Sequence, residues 1–212
     1  MAFPATHVRF AADLAPHLSI EDYQAYYTGS LYPDSRYFTQ VTRDATHGPE
    51  CPRDPFRIGL SDFERGWATH LLYDETVGVE QQLIIPDSHP RTRVDSGMDD
   101  WWVYLTAVKA MEDLQSCSQE MILRTIQSAQ SEQNPCGEDV KLLRDYYELM
   151  GKLYIDTPTW ERYEWYMTNL HVPPHRISQF VDTGRLLSQD QNLTAVIAKM
   201  YPRQLGKTME GK

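Results

Sequence analysis

The sequence predicts an all-α fold, a single multi-helix domain with one long irregular segment. Apolar residues recur at spacings of three and four along most of the 212-residue chain, and helix-capping residues precede several of these runs. No stretch shows the apolar–polar alternation of a half-buried strand. A chain of this length can build one substantial core, so we expect one domain over residues 1–205 and a flexible tail over 206–212.

The first half of the chain contains predicted helices over residues 4–17, 19–29 and 61–79. Ser19 with Asp22 is a capping-box pair before the second helix, and Gly29 is a typical helix stop. Ser61 with Glu64 is a second capping box, and the apolar residues after it repeat at helical spacing. These signals place three helices before residue 80.

The second half contains predicted helices over residues 101–115, 119–130, 136–154, 159–170, 174–187 and 190–201. A Pro- and Asp-rich break over 86–100 precedes them. Asn134-Pro135 is a suitable cap and first-turn pair for the helix over 136–154. Thr157-Pro158 has the same role before the helix over 159–170, with Glu161 in support. The pattern is helix after helix to the end of the domain.

Residues 30–60 do not follow this pattern. The segment contains four prolines and no sustained apolar period, so we predict an irregular connection. A structureless connection of this length is uncommon in a compact domain and is usually functional or disordered. Its aromatic residues Tyr32, Tyr37, Phe38 and Phe56 argue against disorder and give the segment a reason to pack on the neighbouring helix.

Composition excludes several classes of protein. Apolar residues make up 41% and charged residues 24% of the chain, which is globular composition rather than disorder. The net charge of −10 opposes electrostatic capture of nucleic acid or anionic lipid, so we expect no stable nucleic-acid binding. No apolar run approaches the roughly 20 residues that span a membrane, so no transmembrane segment is expected. The sequence is silent on oligomeric state.

The N-terminus and the cysteines predict a cytoplasmic location. Arg9 and Asp13 interrupt the stretch where a signal peptide would carry its apolar core. Cys51, Cys117 and Cys136 are odd in number and lack CxxC spacing, which fits a reducing compartment better than a disulfide framework.

Five polar residues in the N-terminal third are candidate metal ligands. They are His7 in the first helix, Asp34 and His47 in the irregular segment, and His70 with Asp74 on the next helix. His70 and Asp74 are four residues apart, so both side chains lie on one helix face. Imidazoles and carboxylates suit a divalent transition metal, with zinc first and iron or manganese as alternatives.

Each of the five also has an ordinary structural interpretation. His70 and Asp74 could form a simple hydrogen bond on the helix surface, and His47 could be a turn residue beside a glycine. Asp34 could cap the residues that follow it, and His7 could be a satisfied, partly buried histidine. Taken one at a time, these interpretations are the better ones.

The order of the five residues resembles that of the all-helical zinc-dependent phospholipase C family, which includes the single-strand-specific zinc nucleases. The matching stretches are PATHVRFA around His7, GSLYPDSRY around Asp34, DATHG around His47 and GWATHLLYD around His70 and Asp74. The likeness covers residues 5–78 and is closest to small intracellular bacterial members. It implies a phospholipase C-like bundle in which Asp34, His47, His70 and Asp74 form one metal site, with Asp74 bridging towards a second metal near His7.

The sequence departs from this family in its second half. The family supplies later ligands from a further histidine and an HxxxE pair, but His89, His171 and His175 are not followed by a glutamate at that spacing. Pro173 and Pro174 also break the helix that would align the last two histidines. We therefore expect one metal, or two with incomplete protein ligation.

The predicted chemistry is hydrolysis of a phosphoester by a metal-activated water. A zinc-type ion lowers the pKa of its water towards about 7 and withdraws charge from a phosphoryl oxygen. Asp34 is the candidate that orients this water or takes its proton, a role also open to Asp74. Arg36 and Arg43 are candidates for the phosphate oxygens, with a surface ion pair to acids between residues 44 and 54 as the competing interpretation.

The predicted function is thus a metal-dependent hydrolase acting on a small-molecule phosphoester. One alternative is an HD-type nucleotide phosphohydrolase, which ranks lower because the chain has no adjacent His-Asp dipeptide. Another is a non-catalytic helical interaction module. The module is favoured if the imidazoles of His47 and His70 and the carboxylates of Asp34 and Asp74 do not meet within about 5 Å, since zinc bonds are roughly 2 Å long.

Overall fold

The computed structural model describes residues 3–83 and 97–210, and every regular element in these ranges is a helix. The predicted all-α, single-domain fold is therefore confirmed. Short 3₁₀ turns cover Ala15–His17 and Tyr32–Ser35. The helices are α1 (Pro4–Leu14), α2 (Tyr23–Leu31), α3 (Arg36–Thr39), α4 (Arg43–His47), α5 (Asp62–Leu83), α6 (Met98–Ser116), α7 (Glu120–Ser128), α8 (Val140–Leu153), α9 (Trp160–Asn169), α10 (Pro174–Ser188) and α11 (Gln191–Glu210).

The predicted N-terminal cap is confirmed for α5 and is wrong for α2. The Ser61 amide donates to Glu64 Oε2 at 2.8 Å and the Glu64 amide donates to Ser61 Oγ at 3.3 Å, which is the predicted capping box of α5. Ser19 was the wrong cap for α2, because Asp22 is the N-cap and accepts from the Ala25 amide at 3.0 Å. Gly29 does not end that helix, which continues to Leu31.

Two predicted proline starts are also wrong. Asn134-Pro135 lies in a turn before α8, and Asp139 is the N-cap of that helix, accepting from the Lys141 amide at 2.7 Å. Thr159 rather than Thr157 caps α9, accepting from the Arg162 amide at 3.4 Å. In both places a capping side chain closer to the apolar run provides the acceptor.

The segment predicted to be irregular contains α3, α4 and a 3₁₀ turn, so that prediction is wrong in part. The helices are too short to show a period in the sequence. Tyr32 is fully buried and packs on Phe63 and Trp67 of α5, with ring centroids 5.2 and 4.9 Å away. The aromatic residues therefore do hold the segment against α5, as expected.

Helix α1 lies at the centre of the molecule and packs against α2, α5, α6 and α7. Most of its residues are buried, among them Val8, Phe10 and Leu14. A cluster including Phe10 joins α1 to α5 and to α11, and the Tyr201 hydroxyl donates to Asp13 Oδ2 at 2.6 Å. In the predicted tail, residues 206–210 continue α11, and Met209 packs against this cluster.

Two glycines allow α2 and α5 to cross closely. A Cβ atom at Gly29 would lie 2.0 Å from the Phe63 carbonyl oxygen, and one at Gly66 would lie 1.9 Å from the Tyr26 carbonyl oxygen. Any larger residue would force the backbones apart. This contact sets the position of the α5 turn that carries His70 and Asp74.

Among the helices of residues 3–83 and 97–210, none combines the length and the apolar composition that a membrane span requires.

Candidate metal centre

The structure brings the five candidate ligands together from four separate elements. His7 lies on α1, Asp34 on the second 3₁₀ turn, His47 at the end of α4, and His70 with Asp74 on α5. The donor atoms of His7, His70 and Asp74 all lie within 4.8 Å of one another, as do those of Asp34, His47 and His70. Neither group contains both carboxylates, and His70 belongs to both.

The orientation of His70 is fixed by the helix crossing. Its Nδ1 lies 2.8 Å from the Ser30 carbonyl oxygen of α2, so Nδ1 carries the proton and donates it to that oxygen. The lone pair is then on Nε2, which is buried and has no hydrogen-bond partner among the described residues. A backbone carbonyl is one of the groups that commonly accept from the far nitrogen of a metal-binding histidine.

His47 is held in the same manner by its own short helix. Its Nδ1 lies 2.8 Å from the Thr46 hydroxyl, which leaves Nε2 facing the other candidate ligands. The Trp67 indole donates to the Thr46 carbonyl at 2.8 Å, and Arg53 donates to the His47 carbonyl at 2.7 Å. Helix α4 is therefore tied to α5 although it is only five residues long.

His7 stacks face to face on His70, with ring centroids 3.7 Å apart and planes 10° apart. Both ring nitrogens of His7 are buried, and neither has a hydrogen-bond partner in the described part of the chain. The start of α1 is fixed by Asp113 of α6, whose Oδ1 accepts from the Thr6 amide at 3.1 Å. The helix has no side-chain cap of its own, so Asp113 acts as its cap and fixes the position of His7.

Asp74 faces all three imidazoles. Its Oδ1 lies 3.9 Å from His7 Nε2, and its Oδ2 lies 3.7 Å from His47 Nε2 and 3.8 Å from His70 Nε2. These separations are too long for hydrogen bonds. Two donors bound to one zinc ion at about 2.1 Å are roughly 3.4 Å apart in a tetrahedron, so only small shifts would make them ligands of one ion.

The pKa shifts of His7, His47 and Asp74 favour the protonation states that bind a cation. Burial, and then the neighbouring His70, lower the pKa of His7 and of His47 below the ordinary histidine value. Burial alone would raise the pKa of Asp74, but the nearby His70 and Lys109 outweigh it and hold that pKa below its usual range. A neutral His7 and a neutral His47 beside an ionised Asp74 are the forms of these three groups that bind metal.

Access to the site is greatest at Asp74. The side chains of His7 and His70 are 2% and 0% exposed, whereas that of Asp74 is 19% exposed. Asp34 is also buried, and its Oδ1 has no hydrogen-bond partner within the described ranges. A ligand or water from solvent would therefore reach the cluster past Asp74.

Positive side chains stand around the cluster. Arg36 and Arg43 both act electrostatically on His47, and Lys109 of α6 acts on His7 and Asp74. Arg36 stacks on the Tyr37 ring and its guanidinium also contacts the Tyr37 hydroxyl. Within the described residues neither arginine forms the ion pair that was the competing interpretation, so both remain candidates for a phosphate.

The later histidines do not extend the cluster. His171 and His175 are exposed, and neither belongs to a group of converging ligands in the described part of the chain. Helix α9 ends at Asn169 and α10 begins at Pro174, so the two prolines do separate the pair as expected. His89 lies outside the described residues.

Several residues that support the site were missed in the sequence. Tyr73 packs its ring edge on His7 at 5.2 Å, and its hydroxyl donates to Glu112 Oε1 at 2.6 Å. Gln81 donates to Glu112 Oε2 at 3.0 Å, and burial raises the pKa of Glu112 to about 7. Of these supporting residues, only Thr46 could have been found in the sequence, because its hydroxyl is next to the candidate ligand His47. No sequence pattern indicates the Ser30 carbonyl or Glu112, because their roles depend on how the helices cross.

No protein-family model, no curated protein and no solved structure matches this chain.

Proposed function

We propose that this protein is a metal-dependent hydrolase that cleaves a phosphoester of a small molecule. The observation that carries the proposal is the convergence of five buried or half-buried donor side chains. Four of them, His7, Asp34, His70 and Asp74, have a buried nitrogen or oxygen without a hydrogen-bond partner among the described residues. Each buried polar atom that has neither water nor a hydrogen-bond partner lowers the stability of the fold by about 1–3 kcal/mol. A cation between them removes this cost.

The donor set indicates which residues would hold the metal. Asp34, His47 and His70 form one group, and Asp74 Oδ2 lies beside both of its imidazoles. His7 faces the other carboxylate oxygen, so a second ion would have His7 and Asp74 Oδ1 and few further protein ligands. Because His70 Nδ1 is used by Ser30, His70 has one nitrogen to give and serves one ion only.

The side chains around the metal fit hydrolysis of a phosphate ester. A divalent transition metal, with zinc first and iron or manganese as alternatives, would acidify water and polarise a phosphoryl oxygen. Asp34 presents a buried oxygen without a described partner and is our candidate for orienting the water and accepting its proton. Arg36, Arg43 and Lys109 would neutralise the phosphate oxygens.

The family resemblance enters this proposal as support from the order of the ligands. The stretches around His7, Asp34, His47 and the His70–Asp74 helix follow the order of the zinc-dependent phospholipase C group, and we propose that the helical bundle is of that type. The acidic net charge of −10 favours a small soluble ester over an anionic membrane surface.

The geometry argues against the non-catalytic module. The donor atoms of His47, His70 and Asp34 lie within 4.8 Å of one another, and Asp74 Oδ2 lies 3.7 and 3.8 Å from the two imidazoles. No group of described donors holds Asp34 and Asp74 together, so the support for the metal site comes from each carboxylate separately. In a purely structural role these groups would be expected to hydrogen-bond to one another, but Asp74 stays 3.7–3.9 Å from each imidazole.

The first test is the metal content of the purified protein. We expect about one equivalent of zinc, iron or manganese, by mass spectrometry of the elements, in protein prepared without chelator or reconstituted with each ion. Asp74→Asn should lose most of this metal, whereas His175→Ala, which removes an exposed histidine, should keep it. Less than about a tenth of an equivalent after reconstitution would contradict the proposal.

The second test is activity against a panel of generic phosphomonoesters and phosphodiesters. We expect the metal-loaded protein to hydrolyse at least one of them, and the chelated protein and His70→Ala to be inactive. Circular dichroism of each variant separates lost ligation from lost folding. A metal-loaded protein without phosphoesterase activity would retain the metal site but exclude the proposed reaction.

A further inference from the structure

Two half-buried thiols from distant parts of the chain share one hydrogen-bond acceptor. Cys51 Sγ lies 3.2 Å from the Ala45 carbonyl oxygen, and Cys136 Sγ lies 3.1 Å from the same oxygen. The distance between the two sulfurs is therefore no more than the sum of these two sulfur–oxygen distances. The cysteines have no adjacent histidine and no CxxC spacing, so the sequence indicates no catalytic role for them.

Both cysteines lie in turns whose backbones are held in place. The Cys51 amide donates to the Gly48 carbonyl at 3.2 Å, just after α4. The Cys136 amide donates to Glu138 Oε2 at 3.2 Å, and the buried Glu138 also accepts from the Tyr32 hydroxyl. Because neither cysteine is inside a helix, a small movement can bring the sulfurs together without breaking a helical hydrogen bond.

We propose that Cys51 and Cys136 form a reversible disulfide, which ties the turn before α8 to the turn that follows α4. A disulfide requires the sulfurs to approach to about 2 Å and the Cα atoms to be roughly 4.4–6.8 Å apart. Forming the bond releases the Ala45 carbonyl, which lies two residues before His47 in the same short helix. The thiol pair does not depend on the metal proposal and would stand without it.

The oxidant in this reaction is a low-molecular-weight disulfide, such as oxidised glutathione. One cysteine thiolate attacks a sulfur of the small disulfide and releases one small thiol, which leaves a mixed disulfide on the protein. The second cysteine thiolate displaces the other small thiol and closes the bond. Two electrons pass to the small disulfide, and the two cysteine protons end on the two thiols released.

The environment of the pair sets its rate. Burial raises the pKa of the Cys51 thiol and of the Cys136 thiol, so the thiolate fraction at neutral pH is small and exchange is slow. The bond should therefore form over hours rather than seconds, and sooner at mildly alkaline pH. Once formed, it encloses residues 52–135, which include His70 and Asp74.

The test uses the full-length protein incubated with oxidised glutathione at mildly alkaline pH, with and without a chelator. Free thiols are counted in denaturant, the intact mass is measured, and tryptic peptides are mapped. We expect loss of two of the three thiols, a mass lower by two hydrogens, and a cross-link between the peptides of residues 44–53 and 125–141. Chelator should not change this result, which separates it from the metal proposal.

Single substitutions provide matched controls. Cys117→Ala removes the buried third thiol and should still form the cross-link, whereas Cys51→Ser and Cys136→Ser should not. The oxidised wild type should unfold at a temperature roughly 5–10 °C above the reduced form, and the two serine variants should show no such shift.

Three results would overturn the proposal. They are three free thiols after prolonged oxidation, a glutathione adduct without an internal cross-link, and a cross-link that involves Cys117.

Discussion

At the scale of single residues, the site is defined by which nitrogen of each histidine is already in use. His70 Nδ1 donates to the Ser30 carbonyl, and His47 Nδ1 shares a hydrogen bond with the Thr46 hydroxyl. Both therefore present Nε2 towards Asp74. Such partners orient a metal ligand and raise its basicity, so they contribute to affinity without touching the ion.

Thr46→Val tests this at His47. The valine keeps the buried shape but removes the hydroxyl that lies 2.8 Å from His47 Nδ1. We expect the affinity for zinc to fall by about 10- to 100-fold, measured by competition with a chromogenic chelator. Thr168→Val, which removes an exposed hydroxyl on α9, is the matched control and should bind zinc as the wild type does. Equal affinities in both variants would show that Thr46 does not orient His47.

At the scale of elements, the site depends on the close crossing of α2 and α5. Gly29 and Gly66 let the two backbones touch, and this brings the Ser30 carbonyl within 2.8 Å of His70. The crossing also aligns Tyr26, whose hydroxyl contacts Thr69 at 3.2 Å. A shift of one helix would change the position of His70 and Asp74 together.

Gly66→Ala tests the crossing. The added Cβ would lie 1.9 Å from the Tyr26 carbonyl oxygen, a backbone atom that cannot turn away, so we expect a loss of at least about 1–3 kcal/mol in the free energy of unfolding. Urea denaturation measures this loss. Gly206→Ala is the contrast, because a Cβ there meets nothing within 4 Å and the position is inside α11. It should stabilise by about 0.5–1 kcal/mol. Two similar values would refute the steric argument.

At the scale of the whole molecule, adjacent buried carboxyl groups on α6 connect several helices. Asp113 accepts from the Tyr154 and Tyr163 hydroxyls at 2.7 Å each and from the Thr6 amide. Glu112 accepts from Tyr73 and Gln81 of α5. Burial raises the pKa of Asp113 to about 6 and that of Glu112 to about 7. At a pH between its ordinary pKa and its raised pKa, each of these two carboxyl groups is therefore protonated in the folded state and ionised in the unfolded chain.

Glu112→Gln tests the resulting pH dependence. The folded pKa of about 7 lies above the ordinary value of 4.5, so this group favours folding at low pH, and its contribution is lost as pH rises from about 4.5 to 7. The loss is on the order of 3 kcal/mol. Chemical denaturation over this range should show a shallower fall for the variant than for the wild type. Glu148→Gln, at an exposed position, should follow the wild type. Parallel curves for all three proteins would contradict the raised pKa.

The sequence alone determined the longer helices and named the five candidate ligands, but it did not show the short helices α3 and α4. Helical periodicity and a capping box such as Ser61 with Glu64 involve residues within one turn of each other, so they are legible in the chain. His70 and Asp74 could be placed on one face for the same reason. Local signals were less reliable where two caps competed, as at Ser19 and Asp22, since the choice depends on where the helix packs.

Only the tertiary structure decided what stands beside these residues. Three contacts join residues far apart in the chain: His7 stacks on His70, the Ser30 carbonyl accepts from His70, and Cys136 reaches the Ala45 carbonyl that Cys51 also contacts. Such contacts depend on how closely two helices cross and on which side chains fill the space between them. No local pattern records these distances, because they result from packing across the whole core.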